Sequence, residues 1–172
     1  MTVGSYGKRG LAAVGVLAAS IAGMAARSDR APQSGAEATA DDSAAIRKVL
    51  SNYEEALNSS STKPVMPLYA EDGVFMPPYG QSAVGVVAVR QAYEAVFKAI
   101  TLSVKFHVVE VVVMAPEWAF ARTNSAGTTT DRATGARSAE GNQELFIFKK
   151  SSDGAWKIAR YSFSSTNAPP HK

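Results

Sequence analysis

Residues 102–165 read LSVKFHVVEVVVMAPEWAFARTNSAGTTTDRATGARSAEGNQELFIFKKSSDGAWKIARYSFSS, and the places where this stretch breaks decide the fold. Four runs rich in β-branched and aromatic residues stand out, Leu102–Met114, Glu117–Thr128, Ala136–Lys150 and Ala155–Ser165, the composition that fits a pleated, half-buried surface. Between them lie Ala115-Pro116, the polar stretch Thr129–Gly135 and Ser151–Gly154, each suited to a hairpin connection. The spacing predicts four consecutive antiparallel strands of 11 to 15 residues. Strands that long exceed the usual 5–6 and bend, typically through bulges, so the sheet is expected to be strongly curved.

Upstream, the period changes. Val89, Tyr93, Val96, Phe97 and Ile100 fall on one side of a helix over Val86–Ile100. Val74-Phe75-Met76 reads as a short strand stopped by Pro77-Pro78, and Lys63–Tyr69 as a short helix or turn interrupted by Pro67. Before these, Ile46, Val49, Leu50, Tyr53 and Leu57 form one apolar stripe, with Arg47, Lys48, Glu54 and Glu55 outside it and Asp42 or Ser43 in position to cap. Three N-terminal helices followed by a meander make an α+β class: the helices pack on one face of a strongly curved antiparallel sheet. The result is a cone or half-barrel with a pocket at its mouth, where a ligand is expected.

The ends differ from this body. Residues 1–10 carry Lys8 and Arg9 and no acid, and Leu11–Ala26 is an uncharged run of small apolar residues. Residues 1–26 therefore read as a signal-peptide-like leader and the protein as exported or secreted, with an organellar presequence or an N-terminal anchor as alternatives. The run is short for a permanent span, so no stable membrane span is expected in the mature form. Residues 27–41 read as a flexible linker, 42–167 as one domain, and 168–172, with Pro169-Pro170, as a frayed tail.

The 172 residues have a formal net charge of +3, all of it in residues 1–30, where Lys8, Arg9, Arg27 and Arg30 face Asp29. The remaining 14 basic and 14 acidic groups balance, which argues against a nucleic-acid partner. With no cysteine, disulfides, thiolate metal sites and a cysteine nucleophile are excluded, and His107 and His171 alone cannot build a multi-histidine zinc site. No phosphate-cradling glycine motif, nucleophile elbow or carboxylate cluster at metal spacing occurs, so neither metal nor cofactor is expected.

The order of elements, together with Tyr53-Glu54-Glu55-Ala56-Leu57-Asn58, Leu68-Tyr69-Ala70-Glu71-Asp72-Gly73-Val74, Gly85 ahead of the third helix, and the hairpin Phe146-Ile147-Phe148 with Asp153-Gly154-Ala155-Trp156-Lys157-Ile158, resembles the nuclear-transport-factor-2-like superfamily. This is the cone fold shared by SnoaL-like proteins and ketosteroid isomerase. Residues 42–165 are most similar to the SnoaL-like branch that includes the enediyne-cluster proteins. The resemblance implies the fold more than a reaction, since this fold hosts isomerases, dehydratases, cyclases and non-enzymes. It places Tyr53 at the isomerase's oxyanion-hole tyrosine and Glu144 at its protonated carboxylic acid. The general-base aspartate of that enzyme falls on Met76-Pro77, which supplies no base.

The residues themselves leave choices open. Tyr53, on the buried stripe, needs a hydrogen-bond partner and is either a core tyrosine or a donor to ligand. Glu144 shares a phase with Asn142, Phe146 and Phe148. If that phase faces inward, the carboxyl must be paired or protonated, because a buried ion costs several kcal/mol; if Gln143, Leu145 and Ile147 face inward instead, Glu144 is a surface group. Arg122 follows Trp118 and Phe120 at strand spacing and is expected on their face, either binding an anion or holding Glu144 ionised. Arg160 shares parity with Trp156 and Ile158. Phe75, Met76 and Tyr79 are expected at the mouth of the pocket.

The function these readings support is binding of a small, mostly apolar organic molecule, with an isomerase-, cyclase- or lyase-type step in which Tyr53 and Glu144 polarise it. The alternative is a non-catalytic ligand-binding or homodimeric interaction domain. A homodimer is expected through the outer sheet face, where Val109, Val111 and Val113 are placed.

Overall fold

The computed structural model describes residues 33–167; the leader read at 1–26 and the tail at 168–172 lie outside them. Helix α1 spans Gln33–Asn58, α2 Thr62–Val65 runs into a single 3₁₀ turn over Met66–Leu68, strand β1 is Tyr69–Met76, β2 Ala83–Val84, and helix α3 Gly85–Ala99. Strands β3 Ile100–Ala115, β4 Trp118–Asp131, β5 Arg137–Lys150 and β6 Trp156–Ser165 complete the chain.

Helix α1 begins nine residues before Asp42, so Gln33–Asp41 is helical where a linker was expected. Ala36, Glu37, Ala38 and Ala40 are strong helix formers, and their propensity outweighs Gly35. Asp42 is therefore not a cap. It sits inside the helix and ties it to the sheet, accepting from Trp156 Nε1 at 2.9 Å and pairing with Lys150 Nζ at 2.6 Å.

The six strands are ordered β2-β1-β6-β5-β4-β3. All neighbours run antiparallel except β1 and β6, which are parallel, so the sheet is mixed. Extra residues bend the long strands. β3 bulges at Val109 and again near Met114, and β6 bulges at Ala159, which lies between the Arg160–Ile147 and Ile158–Phe148 pairs. A bulge shifts every later side chain to the other face. At Gly127 of β4, a Cβ would stand 2.0 Å from the Ser103 carbonyl oxygen, so only glycine lets the β3–β4 ladder close there.

The concave face of the sheet takes the helices. Ile46, Leu50, Tyr53 and Leu57 of α1 and Val89, Tyr93 and Phe97 of α3 bury against Phe146, Phe148, Trp156, Ile158 and Tyr161 of β5 and β6. Each large side chain removed from water this way contributes about 1.5–3 kcal/mol. The outer edge of β3 is also covered, over Leu102–Phe106, by side chains of α1 and the turn after it. Asn58 accepts from Val104 N and donates to Val104 O, both at 2.8 Å; Glu54 Oε2 accepts from Phe106 N at 2.7 Å; and Ser60 Oγ accepts from Leu102 N at 3.4 Å. No helix among the described residues is long and apolar enough to cross a membrane.

Candidate functional site

Between α1, α3 and the concave sheet lies a cavity of about 180 Å³. Its walls come from every layer: Tyr53 from α1, Phe75 from β1, Tyr93 from α3, Ser125 from β4, Glu140, Asn142 and Glu144 from β5, and Tyr161 and Phe163 from β6. Strand alternation puts the β5 residues 140, 142, 144 and 146 on one face, and the buried phenylalanines Phe146 and Phe148 fix that face as the inner one.

Two features set the chemistry. The first is a buried hydroxyl chain: the Tyr93 hydroxyl hydrogen-bonds that of Tyr53 and, at 2.9 Å, that of Tyr69, while Tyr161 joins through Tyr53. Burial pushes all four phenols well above their ordinary range, so each stays protonated in neutral solution. The second is Glu144, 5% exposed, which accepts a hydrogen bond from Thr123 Oγ1. Burial raises its pKa, hydrogen bonds from Thr123 and Ser125 pull the other way, and the nearby Glu140 raises it further. The net shift is upward, toward the neutral acid, which can donate a hydrogen bond. No arginine or lysine pairs with it among the described ion pairs.

Tyr53, Phe75, Asn142 and Glu144 thus meet around one cavity. Phe146 lies beneath it, fully buried, stacked on Tyr161 with centroids 4.3 Å apart and edge-on to Tyr53. The other expected residues do not come there. Trp118, Phe120 and Arg122 face outward, because Ala119, Ala121 and Thr123, all buried, occupy the inner phase of β4. Arg122 pairs with Glu110 on the outer surface and leaves Glu144 alone. Arg160 is turned out of the phase of Trp156 and Ile158 by the Ala159 bulge, and its Nη1 donates to the carbonyls of Asp72 and Ala159 at 3.1 and 2.6 Å. Met76 follows the inward Phe75 and so faces away, and Tyr79 is fully exposed with φ of 61°. The Val109 bulge likewise turns Val111 and Val113 onto the core, leaving Val112 and Met114 outside.

Tyr93, Tyr161, Ser125 and Glu140 went unread as site residues in the sequence. Each looks like an ordinary core, strand or loop residue until the fold sets it beside the others. Among the described residues no group of three or more His, Asp or Glu side chains is placed to hold a metal ion. A larger hollow of about 520 Å³ holds Lys149, Lys150 and Lys157, but Lys150 is paired with Asp42, Lys157 donates to the Pro67 carbonyl, and Lys149 lies over Trp118.

The family model for the SnoaL-like domain matches residues 50–161. Among solved structures, a ketosteroid isomerase-like protein from Erwinia carotovora atroseptica is 34% identical over 74% of this chain and 98% of its own, with a TM-score of 0.71. A conserved protein from Planctomyces limnophilus is 25% identical over 73% of this chain and 98% of its own, TM-score 0.65. A provisionally assigned scytalone dehydratase from Novosphingobium aromaticivorans, 16% identical over 80% and 92% of the two chains with a TM-score of 0.67, shares the fold. A search of curated proteins finds no match.

Proposed function

Since the chain belongs to the SnoaL-like domain family, we propose that it binds a small, mostly apolar organic molecule in the cone cavity and polarises that molecule's carbonyl with Tyr53 and Glu144. This is the groundwork for an isomerase-, cyclase- or lyase-type step. The observation that carries the reading is a buried carboxyl whose pKa burial raises, beside a chain of protonated phenols, at one mostly apolar cavity. Each phenol has a single proton to give. In the arrangement with Tyr69 donating to Tyr93, and Tyr93 and Tyr161 both donating to Tyr53, three protons are spent inside the chain and the Tyr53 proton is left for the cavity. A carbonyl oxygen there would meet the Tyr53 hydroxyl and the Glu144 acid, and negative charge developing on it would draw on the whole chain, since linked hydrogen bonds polarise one another.

The experiment is Tyr53→Phe, assayed on a panel of cyclic enones for binding by ligand-observed NMR and for conversion by absorbance. Loss of one such donor is expected to slow conversion by about 10²-fold while the domain stays folded. Unchanged conversion and affinity would remove Tyr53 from the reading.

Self-association through the outer sheet face is a second reading. Val112, Met114, Trp118 and Leu145 are 37 to 53% exposed on that face, an apolar patch of the kind that marks an interface. Light scattering is expected to give twice the chain mass, falling to one chain in Trp118→Glu; a monomeric parent protein rejects it. The composition of residues 1–26 supports an exported protein, which cell fractionation tests.

A further inference from the structure

The cavity has two polar ends, and the reading above uses only the inner one. Tyr53 and Glu144, both buried, stand at that end. At the outer end Glu140, half-buried on the same face of β5, lines the same cavity and accepts a hydrogen bond from Asn142 Nδ2 at 2.8 Å. Four residues along a strand set the two glutamate Cα atoms about 13 Å apart, a span that one ring with a polar group at each end can bridge.

Size and wall shape narrow the guest further. Phe75, Tyr161 and Phe163 line the cavity and lie within 18° of parallel, with centroids 5.5 to 6.3 Å apart, so the aromatic part of its wall has one orientation. Parallel faces accept a flat molecule by offset stacking. A dry cavity of about 150 Å³ holds one benzene, and drug-sized ligands take roughly 300–1,000 Å³. At about 180 Å³ this cavity matches one ring better than a fused polycycle.

We infer that the cavity selects a single planar ring with a hydrogen-bond acceptor at its inner end and a hydrogen-bond donor at its outer end, the donor being read by the Glu140 carboxylate. This rests on the ligand-binding reading of the same cavity. Asn142 fixes the orientation of the Glu140 carboxyl, and an outer donor completes it. A methylated or anionic outer group gains no bond there and meets an acidic side chain instead, so Glu140 determines specificity at the outer end and touches the inner end only through its upward push on the Glu144 pKa.

The probe is 4-hydroxybenzaldehyde, titrated at about pH 6 into the full chain and followed by NMR. The comparison ligands are 4-methoxybenzaldehyde and the two-ring 6-hydroxy-2-naphthaldehyde. The hydroxy probe is expected to bind at least tenfold more tightly than the methoxy one, and the naphthaldehyde to bind more weakly than either. Glu140→Ala is expected to abolish the hydroxy-over-methoxy preference, and Glu140→Gln, which keeps the volume and guards against misfolding of the alanine variant, to reduce it. Binding that ignores the outer substituent, a preference that survives both variants, or a naphthaldehyde that binds as well as the single ring overturns the inference and leaves the cavity reading standing. If no aldehyde binds the folded protein, both fall.

Discussion

Replacing Glu144 by Gln separates a neutral acid from a buried ion. Glu144 is 5% exposed, and burial is the largest influence on its pKa, acting upward against the hydrogen bonds from Thr123 and Ser125. In the unfolded chain the group titrates near 4.3. Below that value both states hold the proton and the site contributes its full stability. As pH rises, the unfolded state releases its proton first, so stability falls until the folded pKa is passed and then levels off. The loss is 1.36 kcal/mol for each unit by which the folded value exceeds the unfolded one, and for a domain of this size each kcal/mol is about 4 °C in Tm. A glutamine side chain copies the shape of the protonated acid and cannot titrate. Urea unfolding of both proteins at pH 4 and pH 8 reads the difference. The two are expected within about 1 kcal/mol of each other at pH 4, where one neutral hydrogen-bonding group replaces another, and the Glu144→Gln variant should hold its stability better than the parent on going to pH 8. A parent protein that gains stability relative to the variant with rising pH would mean an ionised, supported carboxylate, and would refute the neutral-acid assignment.

Three further outcomes follow from the geometry. Asn58→Ala removes both hydrogen bonds to the Val104 backbone and should cost about 2 kcal/mol by chemical denaturation. Gly127→Ala drives a Cβ against the Ser103 carbonyl oxygen; the ladder must move, and a loss above about 3 kcal/mol, or no soluble protein on expression, is expected. Arg122→Gln breaks only an exposed pair with Glu110 and should shift stability by less than about 1 kcal/mol, with ligand affinity unchanged in the same titrations that measure the probes.

The elements were legible in the sequence because long periodic runs announce themselves: the stripe Ile46, Leu50, Tyr53, Leu57 buries as its spacing requires, and the alternation around Phe146 and Phe148 carries Glu144 inward with them. The failures have two physical causes. In β4, size suggests that the largest side chains go inside, but the inner phase holds the fully buried Ala119 and Ala121 and the aromatics are left outside. In β6, one inserted residue, Ala159, carries Arg160 out of the phase of Ile158. Bulges leave no mark in composition, so parity holds only up to the first one. The hydroxyl chain was hidden for another reason, since Tyr53 meets Tyr93 across 40 residues and Tyr93 meets Tyr69 across 24, separations at which no local pattern operates.

The closure of the β3 edge by α1 has a consequence for how the chain reaches its fold. The bonds from Glu54 and Asn58 to β3 span 46 to 52 residues, so they form late relative to the β3–β4 hairpin. Until the helix docks, Leu102-Ser103-Val104-Lys105-Phe106 offers an unguarded strand edge, continuous with the β-branched run that follows it, to any other copy in the same condition. Refolding yield should therefore fall with protein concentration, and helix α1 acts during folding as the chain's own guard against intermolecular pairing, a service it performs before any ligand is bound.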